Sequence, residues 1–170
     1  MILWSQPLFS NKLKSTDHPP IFLNDIEVKR VNCHKHLGLI LDSKLSFTKH
    51  ISEKIATARK GIGIIKHLSP YLPLKSRDQI FKMHIRPHVD YCDFIYHIPI
   101  KSRETNNFNI SRTPNYQMQL LQSTQYQAAL AVSGAGKGTN RLKIYDELGW
   151  ESLGHRRIFR RLTQVYKIMT

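Results

Sequence analysis

The stretch Ser46-Phe47-Thr48-Lys49-His50-Ile51-Ser52-Glu53-Lys54-Ile55-Ala56-Thr57-Ala58-Arg59-Lys60-Gly61-Ile62-Gly63-Ile64-Ile65 decides the fold class. Phe47, Ile51, Ile55, Ala58, Ile62 and Ile65 recur at spacings of three and four, which draws one apolar stripe along a helix. Lys49, His50, Lys54, Arg59 and Lys60 fill the other face. Ser46 is the expected N-cap, because its hydroxyl can accept a hydrogen bond from an unpaired amide of the first turn. Gly61 and Gly63 weaken the last turns or permit close packing, and Ser69-Pro70 closes the helix.

Helical patterning continues toward the C-terminus. A second helix is predicted over residues 75–96, with Ile80, Phe81, Ile85, Val89, Cys92 and Ile95 as its apolar stripe and a kink near Arg86 caused by Pro87. Residues 101–115 are rich in Ser, Thr, Asn and Arg and read as a flexible surface loop. A third helix is expected over residues 116–132, then a Gly-rich break at 133–139. A short helix at 141–148 ends on Gly149, and Ser152 caps a last helix with Leu153, Ile158, Leu162, Val165 and Met169 inside.

Toward the N-terminus the period changes. Residues 26–31 partly alternate, and His36-Leu37-Gly38-Leu39-Ile40-Leu41 is apolar, so two antiparallel strands are expected with Asn32 turning between them. Gly38 inside the second strand implies a close backbone approach or a bulge. Residues 1–20 end in Pro19-Pro20 and read as an extended lead-in. The organisation is therefore a lead-in at 1–20, a hairpin at 21–42 and a helical region at 43–170. The fold class is mainly α with a small N-terminal β-hairpin, its amphipathic helices forming a bundle.

The charge balance bears on function. The 170 residues carry 26 Lys and Arg against 12 Asp and Glu, a formal net charge of +14. A field of that sign attracts polyanions, of which phosphate backbones are the commonest. Hydrophobic residues make up 41% of the chain, enough for a packed core rather than a disordered tail. No apolar run approaches the ~20 residues of a membrane helix. Met1-Ile2-Leu3-Trp4 lacks the basic start of a signal peptide. Cys33 and Cys92 read as free thiols of a reducing compartment, with a single bridge as the alternative. Together these point to an intracellular protein of nucleus or cytoplasm, with no membrane and no small-molecule substrate.

Four constellations of residue types bear on chemistry. Residues 134–139, Gly-Ala-Gly-Lys-Gly-Thr, resemble a phosphate loop, but the first Gly position is Ala131, Gly138 follows the Lys, and a helix precedes them. An ordinary Gly-rich turn is the reading. His84, His88 and Cys92 lie four apart and could line up for a metal with Cys33, His34 and His36, yet no tight Cys pair is present and Pro87 disturbs the helical geometry, so ordinary packing and hydrogen bonding is the reading. Asp90 and Asp93 are three apart on a helix, where a salt bridge to Arg86 or Lys82 is the expected role and polymerase-type metal binding is not. Arg156, Arg157, Arg160 and Arg161 share one face of the last helix, and no acidic residue follows Glu151 to neutralise them. Such a face fits opposite phosphates, or is simply solvated.

Several segments together resemble the C-terminal part of non-LTR, LINE- and jockey-like retrotransposon reverse transcriptases. They are Lys35-His36-Leu37-Gly38-Leu39-Ile40-Leu41-Asp42, Leu45-Ser46-Phe47, Leu68-Ser69-Pro70-Tyr71-Leu72-Pro73 and Ile85-Arg86-Pro87-His88-Val89-Asp90-Tyr91. Gln125 to Ala131, the turn at 134–139, Tyr145 to Leu153 and Arg156 to Leu162 follow in family order. Residues 101–115 match no family segment, and Gly136-Lys137 replaces a more usual apolar–Arg pair.

The resemblance implies a fragment beyond the catalytic palm, with a primer-grip-like hairpin and a thumb-like helical region. Such a fragment holds RNA or an RNA–DNA template–primer and is not expected to polymerise alone: its family's catalytic Asp residues and their Mg lie outside it. No cofactor is expected in this chain, and the missing palm and fingers are further expected partners. The nucleic-acid-binding candidates are Lys35, Gly38, Lys49, Lys54, Arg59, Lys60, Arg156, Arg157, Arg160 and Arg161, with no catalytic and no metal residues. A stand-alone basic module, a non-functional relic with an exposed apolar patch, and a small metal protein are the alternatives.

Overall fold

The computed structural model describes residues 5–7, 20–96 and 115–170. Most of the lead-in and the 101–115 loop, except the backbone of Asn115, lie outside the described residues. The fold is mainly helical with a small antiparallel hairpin near the N-terminus. It divides into two compact units, Met1–His50 and Ile51–Thr170.

In the first unit, strand β1 (Ser5–Pro7) pairs in parallel with β4 (Lys29–Val31), and β2 (Phe22–Leu23) pairs antiparallel with β3 (Ile26–Glu27). The main hairpin joins β5 (Cys33–His36) to β6 (Leu39–Asp42), with His36 opposite Leu39. The expected partnership of 26–31 with 36–41 is corrected. Leu37 and Gly38 form the two-residue turn, at φ of 45° and 83°. Two successive positive φ values suit the right-handed twist of the flanking strands. Gly38 is therefore a turn glycine and not a strand glycine. The signal was hidden because leucine is an unusual residue at positive φ.

Leu45 and Phe47 also take positive φ, and Asp42 supports that conformation. Its carboxylate accepts the amides of Lys44, Ser46 and Phe47 at 3.1, 2.9 and 2.8 Å and the Ser46 hydroxyl at 3.0 Å. Burial alone would raise the Asp42 pKa, but these hydrogen bonds together hold it below its ordinary value. Ser46 Oγ accepts the Thr48 amide at 3.4 Å, so it assists the start of helix α1 (Thr48–Leu68) from one residue further out than a cap. His50, expected on the polar face, is fully buried and its Nδ1 accepts the Ile40 amide at 3.4 Å.

The second unit is helical. Ile51, Ile55, Ala58, Ile62 and Ile65 of α1 are buried, as the stripe requires. Helix α2 (Leu74–Ile80) runs into a π-helical turn, Phe81–Ile85, and then α3 (Arg86–Asp90). The cause is Pro87. It has no amide to donate and its ring crowds the carbonyl four residues back, so the chain widens before it. The Arg86 amide accordingly donates to the Phe81 carbonyl, five residues back. Tyr91 is then extended and Cys92 left-handed, which ends the helix before α4 (Asp93–Tyr96). That break corrects the expected stripe: Asp93 and Tyr96 are buried, while Ile95 is exposed.

Helix α5 (Asn115–Ser133), α6 (Arg141–Leu148) and α7 (Leu153–Met169) complete the unit. Asn140 accepts the Leu142 amide, Gly149 ends α6 at φ 61°, and Ser152 accepts the His155 amide. Ala129, Ile144 and Tyr145 form a core cluster that Trp150 covers. Trp150 stacks on Phe81 at 4.0 Å between ring centres, and its Nε1 donates to Asp78 at 2.8 Å.

Candidate functional site

The arginines of α7 were the first candidates for an exposed basic face, and the structure corrects this. Arg157 is fully buried and Arg156 nearly so. Arg156 grips Asp90 with two nitrogens, Nη2 at 2.8 Å and Nε at 3.1 Å, in the fork geometry that suits a carboxylate. Its Nη1 donates to Gln125 Oε1 at 3.4 Å. Arg157 Nη2 donates to the Val89 carbonyl at 3.1 Å and the Tyr96 hydroxyl at 3.2 Å, and its Nε lies 3.6 Å from Asp93. Arg160 reaches Asp93 at 3.3 Å and Asp90 at 3.7 Å. Arg161 donates to the Asp93 carbonyl at 3.3 Å.

The four arginines therefore close a clasp on the α3–α4 elbow. Asp90 and Asp93 do form salt bridges, as expected, and Arg86 contributes at 3.4 Å. The main partners are nevertheless the α7 arginines, more than 60 residues along the chain. Lys82 pairs instead with Asp78, at 2.7 Å. Burial pushes the Asp93 carboxyl above its ordinary value, against the pull of Arg157 and Arg160. Burial pushes the Tyr96 hydroxyl up to about 12, so it stays protonated and available to Arg157 and Val89. Removing one member of such a buried set leaves the others without compensation.

With the arginines turned inward, the apolar stripe of α7 turns outward. Of the five residues expected inside, Leu153 is buried beside the arginines, while Ile158, Leu162, Val165 and Met169 are 43%, 64%, 53% and 81% exposed. The local period separated the arginines from Ile158, Leu162, Val165 and Met169, but it grouped Leu153 with the wrong face. It could not say which face the acidic elbow would claim.

The other candidates remain at the surface. Lys35 on β5 and Lys49 in the first turn of α1 are exposed, within the first unit. In the second unit Arg59 and Lys60 are exposed, and so are Lys66 and His67, seven residues further on each flank. Seven residues is two helical turns, about 10 Å. Lys54 is half-buried, its Nζ 4.4 Å from the centre of the Tyr91 ring. None of these lysines and arginines has a carboxylate partner within ion-pair distance among the described residues. Among those residues no group of His, Cys, Asp or Glu is arranged to hold a metal ion. Cys33 and Cys92 are free thiols. No described helix is long and apolar enough to cross a membrane.

No family model and no solved structure matches the chain. A stretch of 68 residues is 32% identical to the probable RNA-directed DNA polymerase from transposon X-element of Drosophila melanogaster. The match covers 40% of this chain and 7% of that much longer protein. A region of this chain is thus related to a small part of a transposon reverse transcriptase.

Proposed function

We propose that the chain is a post-catalytic, thumb-like piece of a retrotransposon reverse transcriptase that holds template–primer nucleic acid by its phosphates. The carrying observation is α1: its apolar stripe is buried and its outer cations, Lys49, Arg59 and Lys60, are exposed and without carboxylate partners among the described residues. Backbone contacts of this kind carry no base preference. Lys35 and the Leu37–Gly38 turn are the proposed primer-grip-like contribution, and Lys54 adds charge at the flank. The α7 arginines support this role indirectly, by fixing the helices. Polymerisation, with its Mg, is proposed to reside in a palm outside this chain, and an intracellular location follows from that role.

The test is binding of the chain to a labelled RNA–DNA primer–template at several salt concentrations. Affinity should fall steeply with salt, and Lys49→Ala/Arg59→Ala/Lys60→Ala should reduce the log–log slope by about 2 to 3. Absence of binding at low salt by a folded sample would sink the proposal. The exposed stripe of α7 favours a second reading, a truncated relic whose apolar face has lost its cover. Self-association at micromolar concentration together with a non-cooperative melt would support it.

A further inference from the structure

An open cavity of about 640 Å³ lies between the end of α1, α5 and the Gly-rich turn that follows α5. Its lining includes Lys66, Ser69, Ser123, Tyr126, Gln127 and Lys137, and no carboxylate. Behind Ser69 stands Arg77, whose Nη1 donates to the Ser69 hydroxyl at 2.7 Å. The same nitrogen lies 3.6 Å from where a side chain on Gly134 would begin, and Arg77 Nε is buried with no hydrogen-bond partner. None of Lys66, Arg77 and Lys137 has a carboxylate within ion-pair distance among the described residues. Three uncompensated cations around one concavity raise the local concentration of anions.

The turn adds an open backbone. Side chains placed on Gly136 or Gly138 would meet nothing within 4 Å. The amides of Gly134 and Thr139 are satisfied by Leu130 and Gly136, and that of Ala135 by the Ser133 hydroxyl. Among the described residues no acceptor serves the amides of Gly136, Lys137 and Gly138. Tyr126 is held in place, its hydroxyl donating to the Thr139 carbonyl at 2.6 Å. Leu130, Ala131 and Ala135 supply an apolar strip. The volume falls in the range of small-ligand sites, which combine an apolar lining with a few polar groups.

We infer that this cavity takes one phosphate-bearing nucleotide unit, free or as part of a single strand. The phosphate meets Lys66, Lys137 and the turn amides, and the apolar strip accepts the base or sugar. This is not a phosphate loop between strand and helix, since a helix precedes the turn. It goes beyond the strand-holding role assigned to the outer face of α1.

The experiment titrates the whole chain with uridine monophosphate, with a five-nucleotide uridine strand and with inorganic phosphate. It then repeats the titrations on Lys66→Ala/Lys137→Ala and on a charge-matched control, Lys75→Ala/Lys143→Ala. The cavity variant should lose at least about tenfold in affinity, the scale of two lost charge-assisted contacts, while the control changes little. Ser123→Leu narrows the cavity without changing charge and should weaken binding as well. Binding of the monophosphate assigns a free nucleotide, and binding of the strand alone assigns a strand nucleotide. Equal losses in the two lysine variants, inorganic phosphate binding as tightly as the nucleotide, or no binding at all would overturn the inference. Lys49→Ala/Arg59→Ala/Lys60→Ala reports on the α1 surface separately, so either proposal can fail alone.

Discussion

Helices α1 and α7 are both long, both amphipathic and both basic, and they use their cations in opposite directions. On α1 the stripe of Ile51, Ile55, Ile62 and Ile65 turns in, and Lys49, Arg59 and Lys60 turn out. On α7 the arginines turn in and the leucine stripe turns out. The inner surroundings of α1 are apolar, while α7 meets Asp90 and Asp93. An elbow with two buried carboxylates selects guanidinium over leucine, because unpaired buried charge costs more than exposed apolar surface. A basic stripe is thus a candidate ligand face only after its possible counterions elsewhere in the chain have been placed.

The most severe way to break that contrast is Arg157→Ala. It should cost about 3–5 kcal/mol, since Asp93 and the Val89 carbonyl lose a buried partner. Chemical denaturation measures it, and a loss below about 0.5 kcal/mol, the range of ordinary surface changes, would return α7 to the list of free basic faces. Gly61→Ala probes the inner side of α1. A β-carbon there would sit 2.7 Å from Cγ1 of the buried Ile85, and a cost of about 1–3 kcal/mol is expected in the same assay.

The two helices also begin differently, α7 on Ser152 and α1 behind the Asp42 turn. Asp42→Asn should cost about 1 kcal/mol near neutral pH. Its folded pKa is lowered, so its contribution is complete above the ordinary value of 3.8 and is lost as pH falls through the folded value. Stability against pH should therefore fall less steeply on the acid side in the variant, and parallel curves would deny the turn its role. The smallest effect belongs to Lys49→Ala/Arg59→Ala/Lys60→Ala. Stability should stay within about 0.5 kcal/mol while nucleic-acid binding loses salt dependence. A large drop in melting temperature would mean that α1 also hides structural cations.

How much was legible follows the range of the interactions. The helical stripe of α1, the Gly149 stop and the Ser152 cap depend on neighbours within a few residues, and all were readable. The disturbance at Pro87 was readable, but its form as a π turn was not, because widening and breaking have similar local cost. The hairpin was found one turn out of place, since Leu37 at positive φ carries no compositional mark. The clasp was hidden most completely. Arg156 and Asp90 are 66 positions apart, and nothing in either segment names the other. Asp42 sits at the end of a legible motif, yet its four hydrogen bonds depend on a loop conformation that sequence period does not encode.

The wide turn at Phe81–Ile85 also acts as a phase adjuster. Each residue of an α-helix advances the azimuth by about 100°, so one surplus residue in a turn swings everything after it by that angle. Val89 and Asp90 face α7 in this setting. Deleting a single residue from 81–85 would leave a smoother helix and point Asp90 away from Arg156. At this irregular stretch a more regular backbone would give a less complete protein, and its length tolerates less change than its composition.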